Sequence, residues 1–244
     1  MADAFNLKDF TVYHSPATRV HRKGRCKAGL ACLIKADPGF NSSLIGSCPP
    51  IAIAILLSFS ADYHIILINT YLPPVTTESE LNDNWSKLSE FTLTTQGQFP
   101  TAHLVVMGDF NARIGSSHLD LASSLGIDTE EHLPSLFCCN RSSMDATLNR
   151  AGLKLIEYCL AYNLLVLNGL DQFSGSKDFT FCTTRGRSVL DYNLCSLNFF
   201  SLVYPLSIDS RTESDHLPLQ LSFQVPHTAT SDQAQFFTLE NAVL

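Results

Sequence analysis

The residues best placed to do chemistry are Asp109 and Asn111, which follow the apolar residues 104–107 and Gly108. Four consecutive apolar residues predict a strand buried on both faces, because a half-exposed strand would alternate. Gly108 then breaks the strand, so a carboxylate and a carboxamide lie where a buried strand meets its loop, a common position for catalytic groups. The alternative is a turn in which Asp109 and Asn111 bond their own backbone. These residues alone do not decide between the two.

A second carboxylate, Asp191, lies within residues 189–194, where apolar and polar residues alternate. In a strand, Asp191 and Asn193 would share the face opposite Tyr192. A carboxylate in so apolar a strand needs a partner or a site that offsets its desolvation. The alternative is an antiparallel strand whose Asp191 faces water.

An imidazole follows in Ser214-Asp215-His216, at the start of the apolar residues 217–223. Histidine is the side chain that can be a neutral base near pH 7 without special tuning. Because adjacent strand residues point to opposite faces, Asp191 is a better orienting partner for His216 than Asp215. The histidines without an acidic or turn context are interpreted as surface or structural residues: His14, His64, His103, His118, His132 and His227.

Other polar residues have weaker signals for phosphate contact. Tyr71 precedes two prolines and either donates to a phosphate oxygen or covers the end of a strand. Arg185 and Arg187 flank Gly186 in a predicted hairpin turn, where guanidinium groups suit phosphate but a solvated turn is the default. The basic residues between 19 and 27 offer the same alternatives, a phosphate-contacting loop or a solvated surface.

The composition favours a folded chain rich in buried sheet. Of the 244 residues, 45% are hydrophobic and 16% are charged. The net charge of −7 gives no general attraction to nucleic acid, so a polyanionic partner requires local basic residues or a bound divalent metal. The eight cysteines have no metal-ligand spacing. With no secretory leader and no apolar run long enough to cross a bilayer, we expect an intracellular protein, nuclear or cytoplasmic, without a membrane partner.

Periodicity predicts the elements that must position these groups. A helix begins near Thr77, which forms a capping box with Glu80 and places Trp85 on the buried face. A second helix runs from about residue 147 to residue 162, after a long insertion or lid at residues 115–146. Strands are predicted at residues 30–35, 51–59, 63–71, 164–168, 179–183, 189–195, 199–205 and 217–223.

The remaining segments have the composition of connections. Residues 37–50 contain turn residues, and the sequence becomes polar from Pro226, which predicts a tail. We therefore divide the chain into one domain at residues 1–225 and a polar tail at residues 226–244.

The order of these segments is more specific than any one of them. The sequence contains, in this order, Asn69-Thr70-Tyr71-Leu72-Pro73, Gly108-Asp109-Phe110-Asn111, Leu190-Asp191-Tyr192 and Ser214-Asp215-His216. That succession resembles the endonuclease/exonuclease/phosphatase superfamily, and most of all the apurinic-type endonuclease domains of non-LTR (LINE-type) retrotransposons. The stretches GDFNAR, GRSVLDYNL and SDHLPL are particularly similar to those elements, and matching segments span roughly residues 24–223.

The resemblance implies a four-layer α/β sandwich, in which two mainly antiparallel sheets are flanked by helices. It also implies hydrolysis of a phosphodiester, normally in DNA, assisted by Mg²⁺ or Mn²⁺, with no obligate protein partner. By the same resemblance, His216 contacts the scissile phosphate or acts as a base, and Asp191 orients it. Asp109 positions or deprotonates the attacking water, and Asn111 holds a phosphate oxygen in the transition state.

Two more roles follow from the resemblance: Tyr71 donates to the same phosphate, and Asp215 helps to hold the metal ion or supports its waters. One departure is marked. Members of this superfamily carry an Asn on an early strand and a metal-binding Glu on the next, both before the segment that resembles residues 24–35. We expect this chain to lack both strands, which leaves a second hypothesis: a catalytically inactive relic that acts only as a binding module. A third hypothesis keeps the fold but changes the substrate to a phosphoinositide or a small phosphodiester.

Overall fold

The computed structural model describes residues 7–17, 29–35, 39–116, 141–171, 173, 177–210, 214–225 and 235–241. The chain divides into two units, residues 1–104 and residues 105–244. Three of the predicted segments lie wholly or mostly outside the described residues: the basic cluster at residues 19–27, most of the insertion at residues 115–146, and the start of the polar tail.

Antiparallel strands form most of the first unit. They are β1 (Phe10–Ser15), β2 (Leu30–Lys35), β3 (Asn41–Cys48), β4 (Ala52–Ser58) and β5 (His64–Tyr71). Strand β1 pairs with β2, and β4 pairs with β3 on one side and β5 on the other. The predicted strands at residues 30–35, 51–59 and 63–71 are confirmed. The apolar β4 is buried along nearly all of its length, because it is covered on both faces.

Strand β3 corrects the prediction of turns at residues 37–50. Its serines and asparagine suggested a connection, yet residues 41–48 form a strand that is mostly exposed or half-buried. Among the described residues β3 pairs only with β4, so it is an edge strand, where polar side chains are common. A strand of this kind has little apolar periodicity, which is why the sequence pattern missed it.

Helix α1 (Glu78–Gln98) packs against β3, β4 and β5. Thr77 is its N-cap: the Glu80 backbone N–H donates to Thr77 Oγ1 at 3.3 Å, and the Thr77 hydroxyl donates to the Glu80 carboxylate at 2.9 Å. Thr77 is therefore the N-cap, as predicted, and the Glu80 carboxylate contacts it through the Thr77 hydroxyl instead of through the backbone N–H of a regular capping box. Trp85 is also buried, as predicted.

The second unit contains the remaining strands and a helix. They are β6 (His103–Asp109), which begins just before the boundary, β7 (Leu164–Val166), β8 (Phe181–Thr183), β9 (Gly186–Ser188), β10 (Asp191–Ser196), β11 (Ser207–Ile208), β12 (Leu219–Val225), β13 (Gln235–Asn241) and the helix α2 (Arg150–Tyr162). Strand β10 pairs antiparallel with β6 and β7, and β12 pairs antiparallel with β11 and β13. Helix α2 packs against β7, and β12 packs against β10.

Two predicted elements of this unit differ from the structure. Residues 199–205 were predicted as a strand, but Leu197–Leu202 form a 3₁₀ helix. Phe199 and Phe200 are adjacent and both buried, whereas a strand would point them to opposite faces. Helix α2 begins at Arg150 rather than near residue 147, because Asn149 is its N-cap and accepts from the Gly152 N–H at 2.7 Å.

The predicted polar tail also contains a strand. Gln235–Asn241 form β13, which pairs with the whole length of β12. Its Phe237 stacks on the buried Phe223 of β12, with ring centroids 5.8 Å apart. Residues 226–244 are mostly polar, which is why the prediction overlooked this short apolar segment. The rest of the predicted tail lies outside the described residues.

No helix in the described ranges has both the length and the apolar character needed to cross a membrane. Five of the eight cysteines fall within those ranges, and all five are free thiols: Cys32, Cys48, Cys159, Cys182 and Cys195.

Candidate active site

Two buried carboxylates face each other at the start of β10. The antiparallel register of β6 and β10 pairs Asp109 with Asp191, so that two chain segments 82 positions apart meet at one end of the strand pair. Asp109 is 3% exposed and Asp191 is 1% exposed. The alternative in which Asp191 faces water is therefore wrong.

His216 completes the group. Its Nδ1 lies 3.1 Å from Asp191 Oδ1 and 3.0 Å from Asp191 Oδ2. A β-bridge to Phe181 holds the His216 backbone, and the two rings lie 4.8 Å apart between centroids. One face of the imidazole is therefore covered, while its Nδ1 is bound to a carboxylate.

The three groups change one another's affinity for protons. Burial and, after it, the charge of Asp191 raise the pKa of Asp109 to about 7, although hydrogen bonds from Asn111 and the charge of His216 oppose the rise. Burial also raises the pKa of Asp191 above its ordinary value. Burial lowers the pKa of His216, but its hydrogen bond to Asp191 and the charges of the nearby carboxylates outweigh this and leave the pKa raised. The group is therefore poised to exchange protons near neutral pH.

Asn111 lies beside Asp109 in a left-handed turn. The Asn111 backbone N–H donates to Asp109 Oδ1 at 2.9 Å, and Asn111 Nδ2 donates to Asp109 Oδ2 at 3.0 Å. Its φ of 47° and the φ of 144° at Gly108 are both positive, which asparagine and glycine tolerate better than other residues. The turn interpretation of these residues is therefore correct, and the same turn lies at the carboxylate pair.

Sequence reasoning missed Thr180, a buried residue that bonds the backbone of Asp191 and of the residue next to His216. Thr180 Oγ1 accepts from the backbone N–H groups of Leu190 at 3.0 Å and Asp191 at 3.1 Å. Its backbone carbonyl accepts from the N–H of Leu217, the residue after His216, at 2.7 Å. A lone threonine between two phenylalanines gave no signal for this role.

A second missed residue, Asn168, follows β7. Its Oδ1 accepts from the Asn193 backbone N–H at 3.0 Å, and its Nδ2 donates to the Asp191 carbonyl at 3.1 Å. The side chain thus continues the backbone pairing of β7 with β10 beyond the end of β7. The sequence did contain a pattern that could have identified Asn168, because this residue directly follows an apolar run, as does the Gly108-Asp109 pair.

The other predicted site residues lie as follows. Asp215 is exposed, its backbone carbonyl accepts from the Cys182 N–H at 2.8 Å, and its charge acts on His216. Arg185 and Arg187 are exposed on the β8–β9 hairpin, whose first strand holds the His216 backbone. Tyr71 is half-buried at the end of β5, in the other unit, and its backbone N–H donates to the Ile51 carbonyl at 2.8 Å.

Asp109, Asp191 and His216 have the spacing of a metal-binding group. Each offers a ligand atom, and these atoms all lie within 4.8 Å of one another. Hard divalent cations prefer carboxylate oxygens, and two neighbouring buried carboxylates repel each other unless a proton or a cation lies between them. The donor set therefore fits Mg²⁺ or Mn²⁺, whereas the exposed Asp215 is not one of the three.

Two buried asparagines near the site provide a stability test. Asn168 uses both of its polar groups, as described above, whereas Asn193 is fully buried and neither its Oδ1 nor its Nδ2 has a partner among the described residues. We expect Asn193→Leu to raise the free energy of unfolding by about 1–3 kcal/mol, because it removes unsatisfied polar atoms. Asn168→Leu should lower it by a similar amount. Urea unfolding of both variants measures this, and a destabilised Asn193→Leu would contradict the expectation.

Solved structures of nucleases are similar to this chain. The endonuclease domain of TRAS1, a telomere-specific non-LTR retrotransposon, has a TM-score of 0.54 and 18% sequence identity, covering 86% of this chain and 78% of that one. The AP endonuclease LMAP from Leishmania major has a TM-score of 0.61 and 15% identity, covering 90% and 72%. The 3′ phosphatase NExo from Neisseria, bound to a product DNA hairpin, has a TM-score of 0.53 and 16% identity, covering 91% and 84%.

No protein-family profile matches the chain, and no curated protein matches its sequence. The similarity therefore lies in the three-dimensional fold. The predicted α/β fold is confirmed, and it is similar to the folds of these nucleases, a retrotransposon endonuclease domain among them.

Proposed function

We propose that this chain hydrolyses phosphodiester bonds in DNA with the help of a divalent cation. The observation that carries the proposal is the hydrogen bond between the His216 imidazole and Asp191, beside the carboxylate of Asp109. An acid–base pair and a second carboxylate at the end of a rigid strand pair are the groups that hydrolysis of a phosphodiester requires. The fold similarity to DNA-acting nucleases supports the same reaction.

Each of these residues has its own role in the proposed reaction. Asp109, with a pKa of about 7, orients the attacking water and accepts its proton as the new oxygen–phosphorus bond forms. His216, held by Asp191, donates a hydrogen bond to a non-bridging phosphoryl oxygen, where negative charge accumulates in the transition state. The bond from phosphorus to the leaving oxygen then breaks, and solvent protonates the released alkoxide. Asn111 is proposed as a further donor to the phosphate, and the role that the resemblance implies for Tyr71 stays a prediction.

The carboxylates of Asp109 and Asp191 would hold the cation beside the His216 ring, since the ligand atoms of the three residues lie within 4.8 Å of one another. A bound Mg²⁺ or Mn²⁺ supplies positive charge for the phosphoryl oxygens and the leaving oxygen. Asp215 is exposed nearby and is proposed to bind waters of the ion rather than the ion itself.

Supercoiled plasmid tests the reaction directly. We expect the purified chain to nick the plasmid with Mg²⁺ or Mn²⁺ and to lose that activity in EDTA. Asp109→Ala should nick at least about 100-fold more slowly, because it loses the proton acceptor. Equal nicking by both proteins would indicate a contaminant and remove the support for hydrolysis. Absence of nicking with DNA binding intact would favour the binding-module hypothesis.

The hairpin arginines are proposed to contact phosphates that flank the scissile one. Arg185 and Arg187 are exposed. Because the chain has a net charge of −7, DNA can bind it only where local basic residues or a bound cation offset the repulsion. Replacing both with alanine should reduce the slope of log binding constant against log salt by about 2, since each phosphate contact contributes about 0.9. Fluorescence anisotropy with a labelled duplex measures the slope.

The control for this measurement is the double replacement of Arg150 and Lys154 on helix α2. It removes the same charge from a different part of the second unit. An equal loss of slope in both double variants would mean that only net charge matters, and would contradict a hairpin contact.

A further inference from the structure

An ion pair between the half-buried Arg113 and the buried Asp145 connects the loop that follows β6 to the strand that carries Asp191. Asp145 is 3% exposed and accepts a bidentate pair from Arg113, with Nε at 2.7 Å and one terminal nitrogen at 2.6 Å. The same carboxylate accepts from the backbone N–H groups of Val189 at 3.0 Å and Thr147 at 3.1 Å. Burial alone would raise the pKa of Asp145, but these hydrogen bonds outweigh it and leave the pKa lowered, so the carboxylate is ionised at neutral pH.

Both ends of this connection lie close in sequence to the proposed site. Arg113 is two residues after Asn111, and Val189 is two residues before Asp191. Between them, the Phe110 N–H donates to the Leu190 carbonyl at 3.0 Å. The Asp145 carboxylate therefore bridges the two segments at the point where their backbone pairing ends.

The backbone of Arg113 is fixed as firmly as its side chain. Its N–H donates to Asn149 Oδ1 at 3.1 Å, and its carbonyl accepts from the Asn149 N–H at 3.0 Å. A Cβ at Gly152 would lie 2.0 Å from that carbonyl, so the loop can approach helix α2 this closely only because residue 152 is glycine. Arg113 is thus held by α2 through its backbone and by Asp145 through its guanidinium.

We propose that Arg113 and Asp145 are positioning residues: their ion pair keeps the Asp109–Asn111 turn and the Asp191 strand in the register that the hydrolytic site requires. This inference rests on the proposed function. Burying the Asp145 carboxylate is costly, and its bidentate pair with the guanidinium fixes the geometry more closely than a neutral pair would. Neither residue is assigned a contact with the substrate. Their effect acts through Asp109 and Asp191.

Three variants test the pair: Arg113→Gln, Asp145→Asn and the double variant. The matched control is Lys154→Gln with Glu157→Gln, which removes an ion pair of 2.8 Å from the surface of α2. We expect each single variant to lower kcat for nicking about 10- to 100-fold, the range typical of residues that orient the active-site groups without contacting the substrate. The dissociation constant for duplex DNA in EDTA should stay within about twofold, because no DNA contact is lost. The double variant should be no slower than the slower single variant, because the pair acts as a unit.

Hydrogen exchange separates positioning from a general loss of stability. In the variants, the amides of Phe110 and Val189 should exchange faster while those of the buried β4 in the other unit keep their protection, whereas general unfolding would expose all of them. Full nicking activity in the variants, or a double variant whose losses multiply, would overturn the proposal. So would unchanged protection at Phe110 and Val189.

The nicking activity of the wild-type protein separates the proposed hydrolytic function from the proposed role of the Arg113–Asp145 pair. If it does not nick DNA, the proposed function fails, and the exchange measurement alone decides whether the ion pair holds the two segments. Faster exchange confined to Phe110, Val189 and their neighbours would support that role, and unchanged exchange would refute it.

Discussion

Asp191→Asn is expected to slow plasmid nicking by about 10³- to 10⁴-fold, the size of effect seen when a buried carboxylate that orients a catalytic histidine is made neutral. In this chain the Asp191 carboxylate contacts His216 Nδ1 through both oxygens. An asparagine would offer only one acceptor, and its amide would present a donor in place of the other. The imidazole would then lose both its preferred tautomer and the negative charge that raises its pKa.

Asp62→Asn is the matched control for this substitution. It makes the same chemical change in the exposed turn between β4 and β5, and it should leave nicking unchanged. Circular dichroism should show Asp191→Asn to be folded, because the pKa of Asp191 is raised by burial and a neutral side chain is therefore tolerated there. A folded Asp191→Asn that nicks at the wild-type rate would remove the Asp191–His216 pair from the mechanism.

The site residues could be found from the sequence because each one breaks a strong local pattern. Asp109 ends an apolar run, Asp191 places a carboxylate in an apolar strand, and His216 precedes an apolar strand. Their meeting depended on register: a shift of one residue between β6 and β10 would have moved Asp191 away from Asp109. No local pattern fixes that register, and it was the order of the segments, compared with a known superfamily, that suggested it.

The residues that hold the site together could not be found in this way. Asp145 lies 44 positions from Val189 and 32 from Arg113, and nothing near it in the sequence is periodic. Thr180 acts through backbone groups that any residue possesses. The same limit explains the errors in the fold: β3 has the composition of a loop and β13 is a short apolar segment among polar residues, so each is recognisable as a strand only from the partner it pairs with.

The largest stability effect is expected from Asp109→Asn, which should make the protein more stable at pH 8 by up to about 4 kcal/mol, since a pKa unit corresponds to about 1.4 kcal/mol. The pKa of Asp109 rises from 3.8 to about 7 on folding. Between these values the folded protein binds the proton more tightly than the unfolded chain does, so stability falls as pH rises through that range. The pKa of His216 is also raised on folding, and its contribution is lost in the same direction.

Urea unfolding of the wild type and Asp109→Asn at pH 4 and pH 8, in EDTA, measures this difference. The two proteins should have similar stability at pH 4, where Asp109 is protonated in the folded state, and should diverge by pH 8. His216 and Asp191 remain in both proteins, so the divergence reports the Asp109 charge together with its effect on the protonation of these two neighbours. A variant that is less stable than the wild type at pH 8 would mean that the turn hydrogen bonds from Asn111 outweigh the burial of the charge. An inactive but more stable variant would show that this carboxylate is kept ionisable for chemistry at the expense of folding free energy.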